Sequence, residues 1–183
     1  MIYLASTSPR RKFLLGCLGI EFETIAINIP EDWDSHEQPE SYVMRLAQEK
    51  ALAGQAVTGK NCPVLAADTA VVIDGEVLGK PDDTAAAMQM LGMLSGRRHQ
   101  VLSAVALAAD QLHTALNISH VTFKTLSPAE CRAYCEDGEP IGKAGGYAIQ
   151  GQAAAFIDRL QGSYSGVMGL PLAETSALLE NHI

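Results

Sequence analysis

Residues 100–109 and 112–125 read as two long strands joined at Asp110. A connection that short permits an antiparallel return and leaves no room for the crossover that a parallel pair needs. Elsewhere in the chain short strand patterns alternate with helix patterns, the usual mark of helices laid against a sheet. The expected class is therefore α/β, a mixed twisted sheet flanked by helices. The apolar run at 101–109 is far too short to cross a bilayer. With 183 residues, 48% of them hydrophobic, the chain is long enough for one domain with a buried core, taken here as residues 1–183.

Around that pair the punctuation is regular. Residues 2–5 form a strand pattern, followed by Ser8 as N-cap and Pro9 at the first helical position of a helix that ends at Gly19. Residues 22–29 read as a second strand, and 31–34 as an acidic loop carrying Trp33. Residues 39–57 form a helix with Val43, Leu46, Ala47, Lys50, Ala51 and Gly54 along one stripe. A short buried strand at 64–67 is expected to end at Asp68-Thr69. A hairpin follows, 70–73 and 76–78, with Asp74-Gly75 as its turn. Asp82 or Asp83 caps a helix through Met88, Leu91 and Leu94, and Ser127 with Glu130 forms a capping box. Residues 142–151 are glycine-dense, 153–157 read as a strand, and 171–179 as a last helix. No internal repeat, low-complexity segment or linker interrupts the pattern.

Charge narrows the partners. The formal net charge is −8 and the isoelectric point about 5.0, so the average surface repels nucleic acid and anionic membranes, and neither is expected as a partner. An anionic ligand must then be held by a local cluster of cations. The first residues lack the basic start of a secretory signal, and Arg10-Arg11-Lys12 follow the apolar residues instead of leading them. A cytoplasmic location is expected. Of Cys17, Cys62, Cys131 and Cys135 only the last two are close, at i and i+4. No second Cys or His pair completes a zinc set, and all four read as reduced thiols in or near the core.

Several groups of residues carry possible chemistry. Residues 54–61 miss a P-loop at Asn61, and they leave a helix to enter a strand, the reverse of a P-loop's order; they read as a helix end and a surface turn. The segment Ser6-Thr7-Ser8-Pro9-Arg10-Arg11 is more informative. A helix N-terminus presents free N–H groups and a positive dipole end suited to phosphate. Ser6 and Ser8 add hydroxyls, and Arg10 and Arg11 add guanidiniums that oppose the dipole unless an anion offsets them. A capped surface helix with a basic first turn is the other reading. Lys50, seven residues after Val43, projects from an apolar stripe, so it either snorkels or is placed in a site. Asp68, at an expected strand end, either holds a divalent metal or orients a water, or else is an exposed turn residue. Glu31 either adds a carboxylate or is solvated with its acidic neighbours, and Lys80 is either a surface lysine or a phosphate clamp. Gln150, between Gly146 and Gly151, carries the paired donor and acceptor that can read a base edge, or lies in a flexible loop. The five histidines form no pair at ligand spacing. Three separated cations (Arg11, Lys50, Lys80) and an acid (Asp68) suit metal-assisted attack on a polyphosphate. The residues alone reach a nucleotide or phosphoester hydrolase and go no further.

Ordered blocks along the chain go further. Residues 4–11, Arg45-Leu46-Ala47 with Lys50-Ala51, Ala67-Asp68-Thr69, Gly79-Lys80-Pro81, Gly146–Gly151, Gly162-Ser163-Tyr164 and Gly169–Leu172 resemble the Maf family of nucleotide pyrophosphatases. The resemblance implies an inosine-triphosphatase-like fold with two lobes around a cleft, usually dimeric, here a homodimer. It implies cleavage of a nucleoside triphosphate between the α and β phosphates with a divalent metal, Mg2+ or Mn2+. Asp68 then matches the acid that accepts a proton from the attacking water. Arg11, Lys50 and Lys80 match phosphate-contacting cations, with Ser6, Ser8 and Arg10 beside them, and Glu31 joins Asp68 at the metal. Arg11, Thr69 and Gln150 match positions tied to base choice, and Asp-Thr with Ile-Gln-Gly is the pattern of the branch acting on dTTP and UTP. A sister branch acting on 7-methyl-GTP carries Gln after the Asp and Glu in place of the Gln. The family is also linked to inhibition of septum formation, so a nucleotide-binding regulator of division is the alternative. Pro30 departs from the acidic residue more often found before Glu31.

Overall fold

The computed structural model describes residues 1–34, 36–59 and 62–182. In chain order the elements are β1 (Ile2–Ala5), α1 (Pro9–Gly16), β2 (Phe22–Ile25), α2 (Pro39–Thr58), β3 (Val64–Ile73), β4 (Glu76–Leu78), α3 (Thr84–Leu94), β5 (Arg98–Ala108), β6 (Leu112–Phe123), α4 (Pro128–Glu136), β7 (Ile157–Gln161), α5 (Tyr164–Met168) and α6 (Leu172–His182). The seven strands make one sheet in the order β2-β1-β3-β5-β6-β7, with β4 also paired to β3. β1 runs parallel to β2 and β3, and the remaining pairs are antiparallel. The mixed α/β sheet is as expected, and no helix among the described residues is long and apolar enough to cross a membrane.

Strand β3 organises the molecule, because its two faces and its two edges meet different neighbours. On one face Ala66, Ala70 and Val72, with Leu102, Ala104 and Ala106 of β5, pack beneath Val43, Leu46, Ala47 and Ala51 of α2. Gly54 lets α2 approach closely, since a Cβ there would stand 2.7 Å from Val64 Cγ1. On the other face two separate cores form. Leu65, Ala67, Val105 and Leu107 pack against Leu14, Leu15, Leu178 and Leu179 of α1 and α6. Val71, Ile73, Val101 and Phe123 pack against Leu91, Leu94 and Tyr134 of α3 and α4. These are the two lobes, and Thr69 lies on β3 at the boundary between them.

The edges differ as sharply. Along one edge β5 pairs with β3 without interruption from Val64 to Val72. Along the other, β1 pairs only as far as Leu65, and β4 begins only at Val71. The strand between them, residues 66–70, borders a gap in the sheet.

Several expectations change in three dimensions. Residues 64–67 and 70–73 are one continuous strand, because β5 holds the ladder through Asp68-Thr69; Asp68 is therefore mid-strand, within the stretch that β1 and β4 leave unpaired, rather than at the end of its own element. The strand expected at 22–29 stops at Ile25, where the register with Ala5 runs out. Residues 153–157 are mostly a 3-10 turn, Gln152–Phe156, and the strand there is β7. The short helix α5, capped by Ser163, has no counterpart in the sequence pattern. Cys131 and Cys135 are buried free thiols, but Cys17 is exposed on α1, outside the core. The P-loop-like segment ends in helix α2 and at Gly59; Lys60 and Asn61 lie outside the described residues.

Candidate active site

The gap beside β3 opens into a cleft of about 540 Å³. Ser6, Ser8, Arg10, Arg11, Glu31, Lys50, Asp68, Thr69, Lys80 and Gln150 all line it, so the fold gathers every candidate residue at one place. It does not put them on one wall. Successive residues of a strand face opposite ways, so Asp68 points to the α2 side of the sheet and Thr69 to the α1 and α5 side.

On the α2 side charges alternate. Lys50, on the buried stripe of α2, donates from Nζ to Asp68 Oδ1 at 2.6 Å and to Glu31 Oε1 at 2.6 Å. Lys80, after β4, donates to Glu31 Oε2 at 2.6 Å. Lys50 and Asp68 are 8% and 7% exposed, so their pairing takes place largely away from water. Burial works to raise the Glu31 carboxyl, yet the hydrogen bonds from Lys50 and Lys80 outweigh it and hold the group down at about 2. The loop bearing Glu31 is fastened to α2. The Tyr42 hydroxyl donates to Glu31 O at 2.8 Å, and Arg45 bonds both oxygens of Glu37 as well as Asp32 O. Burial, then the nearby Asp68 and Glu31 charges, push the Tyr42 phenol up to about 12, so it stays a donor.

On the opposite side the start of α1 supplies the cations. Ser8 is the extended N-cap, its Oγ accepting from Arg11 N at 3.5 Å while its own N–H donates to Ser6 Oγ at 3.1 Å. Arg11 Nε donates to Gly169 O at 2.8 Å and Nη2 to Thr69 Oγ1 at 3.4 Å. Arg10 Nε donates to Met168 O at 3.3 Å. Burial pulls Arg11 below its ordinary value; the Asp68 charge works against that and Arg10 works with it. Cations packed this closely at a helix N-terminus are unfavourable alone and favourable around an anion. Gln150 is exposed at the mouth, on the turn after buried Ile149.

The cleft thus brings together two carboxylates, Glu31 and Asp68, and four cations, Arg10, Arg11, Lys50 and Lys80. The model for the family described as "Maf-like protein" matches residues 1–182. The chain belongs to the Maf-like family. A dTTP/UTP pyrophosphatase of Escherichia coli O157:H7 is 51% identical to it over 182 residues, covering 98% of this chain and 92% of the relative. One of Methylococcus capsulatus is 50% identical over 181 residues, covering 98% and 90%. Among solved structures, a nucleoside-triphosphatase, a dITP/XTP pyrophosphatase from Mycobacterium abscessus, is 19% identical with a TM-score of 0.47, covering 99% of this chain and 94% of its own.

This Maf-like cleft also uses residues that sequence reasoning missed. Tyr42, next to Val43 on α2, lines the cleft and was not singled out from the sequence. Ser103 is a single hydroxyl inside the apolar run of β5; its place opposite Thr69 in the ladder is visible only once the strands are registered. Lys143, between the cleft-lining Gly142 and Ala144, is not itself in the lining; its ammonium donates to Glu139 O, and burial, then the Arg10 charge, lowers it. Among the described residues no group of three or more His, Cys, Asp and Glu side chains is placed to hold a metal unaided. Asp68 and Glu31, two hard oxygen donors joined by one ammonium, instead fit the way Mg2+ is commonly held, by one or two carboxylates with substrate phosphates and waters completing its shell.

Proposed function

We propose that the protein is a nucleoside triphosphate pyrophosphatase that hydrolyses dTTP and UTP at the α–β anhydride, giving the monophosphate and pyrophosphate. The observation that carries this is the buried Asp68–Lys50 pair opening on a cation-lined cleft, in a chain half identical to relatives named for that reaction. The triphosphate lies against Lys50, Lys80, Arg10 and Arg11, with Ser6 and Ser8 as hydroxyl donors. Asp68 takes a proton from the attacking water as its oxygen bonds to the α phosphorus. The bond from that phosphorus to the bridging oxygen then breaks, and pyrophosphate leaves with the electron pair. Lys50 orients Asp68 and stands beside the charge that develops. Asp68 and Glu31 would hold a Mg2+ or Mn2+ ion, which supplies further neutralisation of phosphate charge when bound. Thr69, Gln150 and Arg11 carry the choice of base. A homodimer acting on free nucleotides in the cytoplasm belongs to the same reading.

The test is pyrophosphate release from canonical and modified nucleoside triphosphates with several divalent metals. Activity concentrated on dTTP and UTP is expected, and Asp68→Asn should lower it by about 10²–10⁴-fold with the fold intact. Preference for 7-methyl-GTP would overturn the assignment of base choice. Near-normal turnover by Asp68→Asn would overturn the role given to that residue.

A further inference from the structure

Behind Thr69 lies a hydroxyl relay whose direction can be worked out by counting protons. Ser103 is opposite Thr69 in the β3–β5 ladder, on the same face, and is 0% exposed. Its Oγ stands 2.6 Å from Gly166 O and 2.8 Å from Thr69 Oγ1. A carbonyl oxygen only accepts, so the one Ser103 proton is committed to Gly166 O. In the bond between the two hydroxyls Thr69 must then donate. Its other acceptor within reach, Gly169 O, is farther away at 3.4 Å and also receives Arg11 Nε at 2.8 Å. The shorter bond decides: the Thr69 proton points at buried Ser103, and a lone pair is left toward the cleft. The Arg11 Nη2 donor at 3.4 Å on that same oxygen agrees with this polarity.

The consequence concerns the Thr69 wall of the cleft, on the opposite face of β3 from the Lys50–Asp68 pair. There the Thr69 oxygen and the Gly169 carbonyl, both neutral acceptors held by Arg11, line the cleft, as Gln150 does. Resting on the pyrimidine triphosphate reading above, we propose that Ser103 is a positioning residue for specificity. It turns Thr69 into an acceptor that recognises a ring N–H. Uracil and thymine present such an N3–H donor, whereas cytosine presents a bare N3 whose lone pair would face the Thr69 lone pair. A site built to accept a substrate N–H rejects the analogue lacking it far more strongly than shape alone can.

Steady-state pyrophosphate release with UTP, CTP and N3-methyl-UTP tests this. The wild-type protein should reject N3-methyl-UTP as it rejects CTP. In Ser103→Ala the Thr69 proton loses its 2.8 Å acceptor and turns to the cleft side, toward Gly169 O or a bare ring nitrogen, so the UTP:CTP ratio of kcat/KM should fall about tenfold, with a falling KM for CTP. The near-isosteric Ser103→Cys, a weaker hydrogen-bonding partner, should fall in between and covers the case that the alanine variant is poorly folded. A purely structural role would lower activity on both substrates and leave their ratio unmoved. That result in folded variants, or N3-methyl-UTP handled as well as UTP, overturns the role of Ser103 alone. No pyrophosphate from UTP with the wild-type protein overturns the reaction itself, and this proposal with it.

Discussion

Removing the ammonium of Lys50 should cost far more stability than removing the charge it neutralises. Lys50 and Asp68 are 8% and 7% exposed, and the Nζ–Oδ1 distance is 2.6 Å. Lys50→Met leaves the Asp68 carboxylate buried without its cation, a change that costs about 3–5 kcal/mol. The share from Glu31 is small, because 36% of that side chain is exposed and it keeps Lys80; exposed pairs contribute about 0–1 kcal/mol. Asp68→Asn retains an oxygen for Lys50, and Lys50 retains Glu31, so about 1 kcal/mol is expected. Once Asp68 is Asn, Lys50→Met strands no buried charge and should cost only about 1 kcal/mol more. The two substitutions should therefore couple by about 2–4 kcal/mol. Urea unfolding of the four proteins at pH 7, followed by far-UV circular dichroism with Trp33 emission as a second probe, reads this directly. If Lys50→Met costs the same in both backgrounds, within about 0.5 kcal/mol, the pair does not interact as described.

Tyr42→Phe removes the donor that ties Glu31 O to α2 at 2.8 Å; stability should fall by about 1 kcal/mol, and the KM for UTP should rise with kcat less affected. His99 is buried, and burial pushes its imidazole down to about 4, so the folded protein favours the neutral ring. Its contribution is fully present above pH about 6.5 and is lost as pH falls toward 4. His99→Gln should flatten that stretch of the stability curve, and an unchanged slope would contradict the assignment. Gly151→Ala would drive a Cβ into the Glu139 carboxylate, which accepts from Gln152 N at 3.0 Å. The Gln150 turn should shift, and discrimination among nucleotides should fall more than thermal stability does. Equal losses of both would argue against a role for that turn in base choice.

Helix starts, capping residues and the antiparallel pair β5–β6 were legible because each depends on local pattern. Ser8 with Pro9 and Ser127 with Glu130 cap as expected, and Lys50 on the apolar stripe of α2 proved to be placed in the cleft rather than snorkelling. Glu31 could not be told from its solvated neighbours Asp32 and Asp34, since what distinguishes it is the reach of two lysines from elsewhere in the chain. The break expected at Asp68-Thr69 was a polar interruption of an apolar run, and cross-strand bonding to β5 carried the strand through it.

Composition, spacing and ordered motifs by themselves determined the α/β class and the kinship with the Maf-like family, and named the candidate residues that line the cleft, because these are stored in local periodicity and in residue identity. Only the tertiary structure decided which wall each residue occupies. Asp68 and Thr69 are neighbours in sequence but face opposite sides of the sheet. They share a cleft because β1 stops at Leu65 and β4 starts at Val71, which leaves β3 open between them. The direction of the Thr69 hydroxyl is set further away still, by Ser103 and the Gly166 carbonyl. Hydrogen-bond polarity depends on partners brought together by folding, and no spacing along the chain records it.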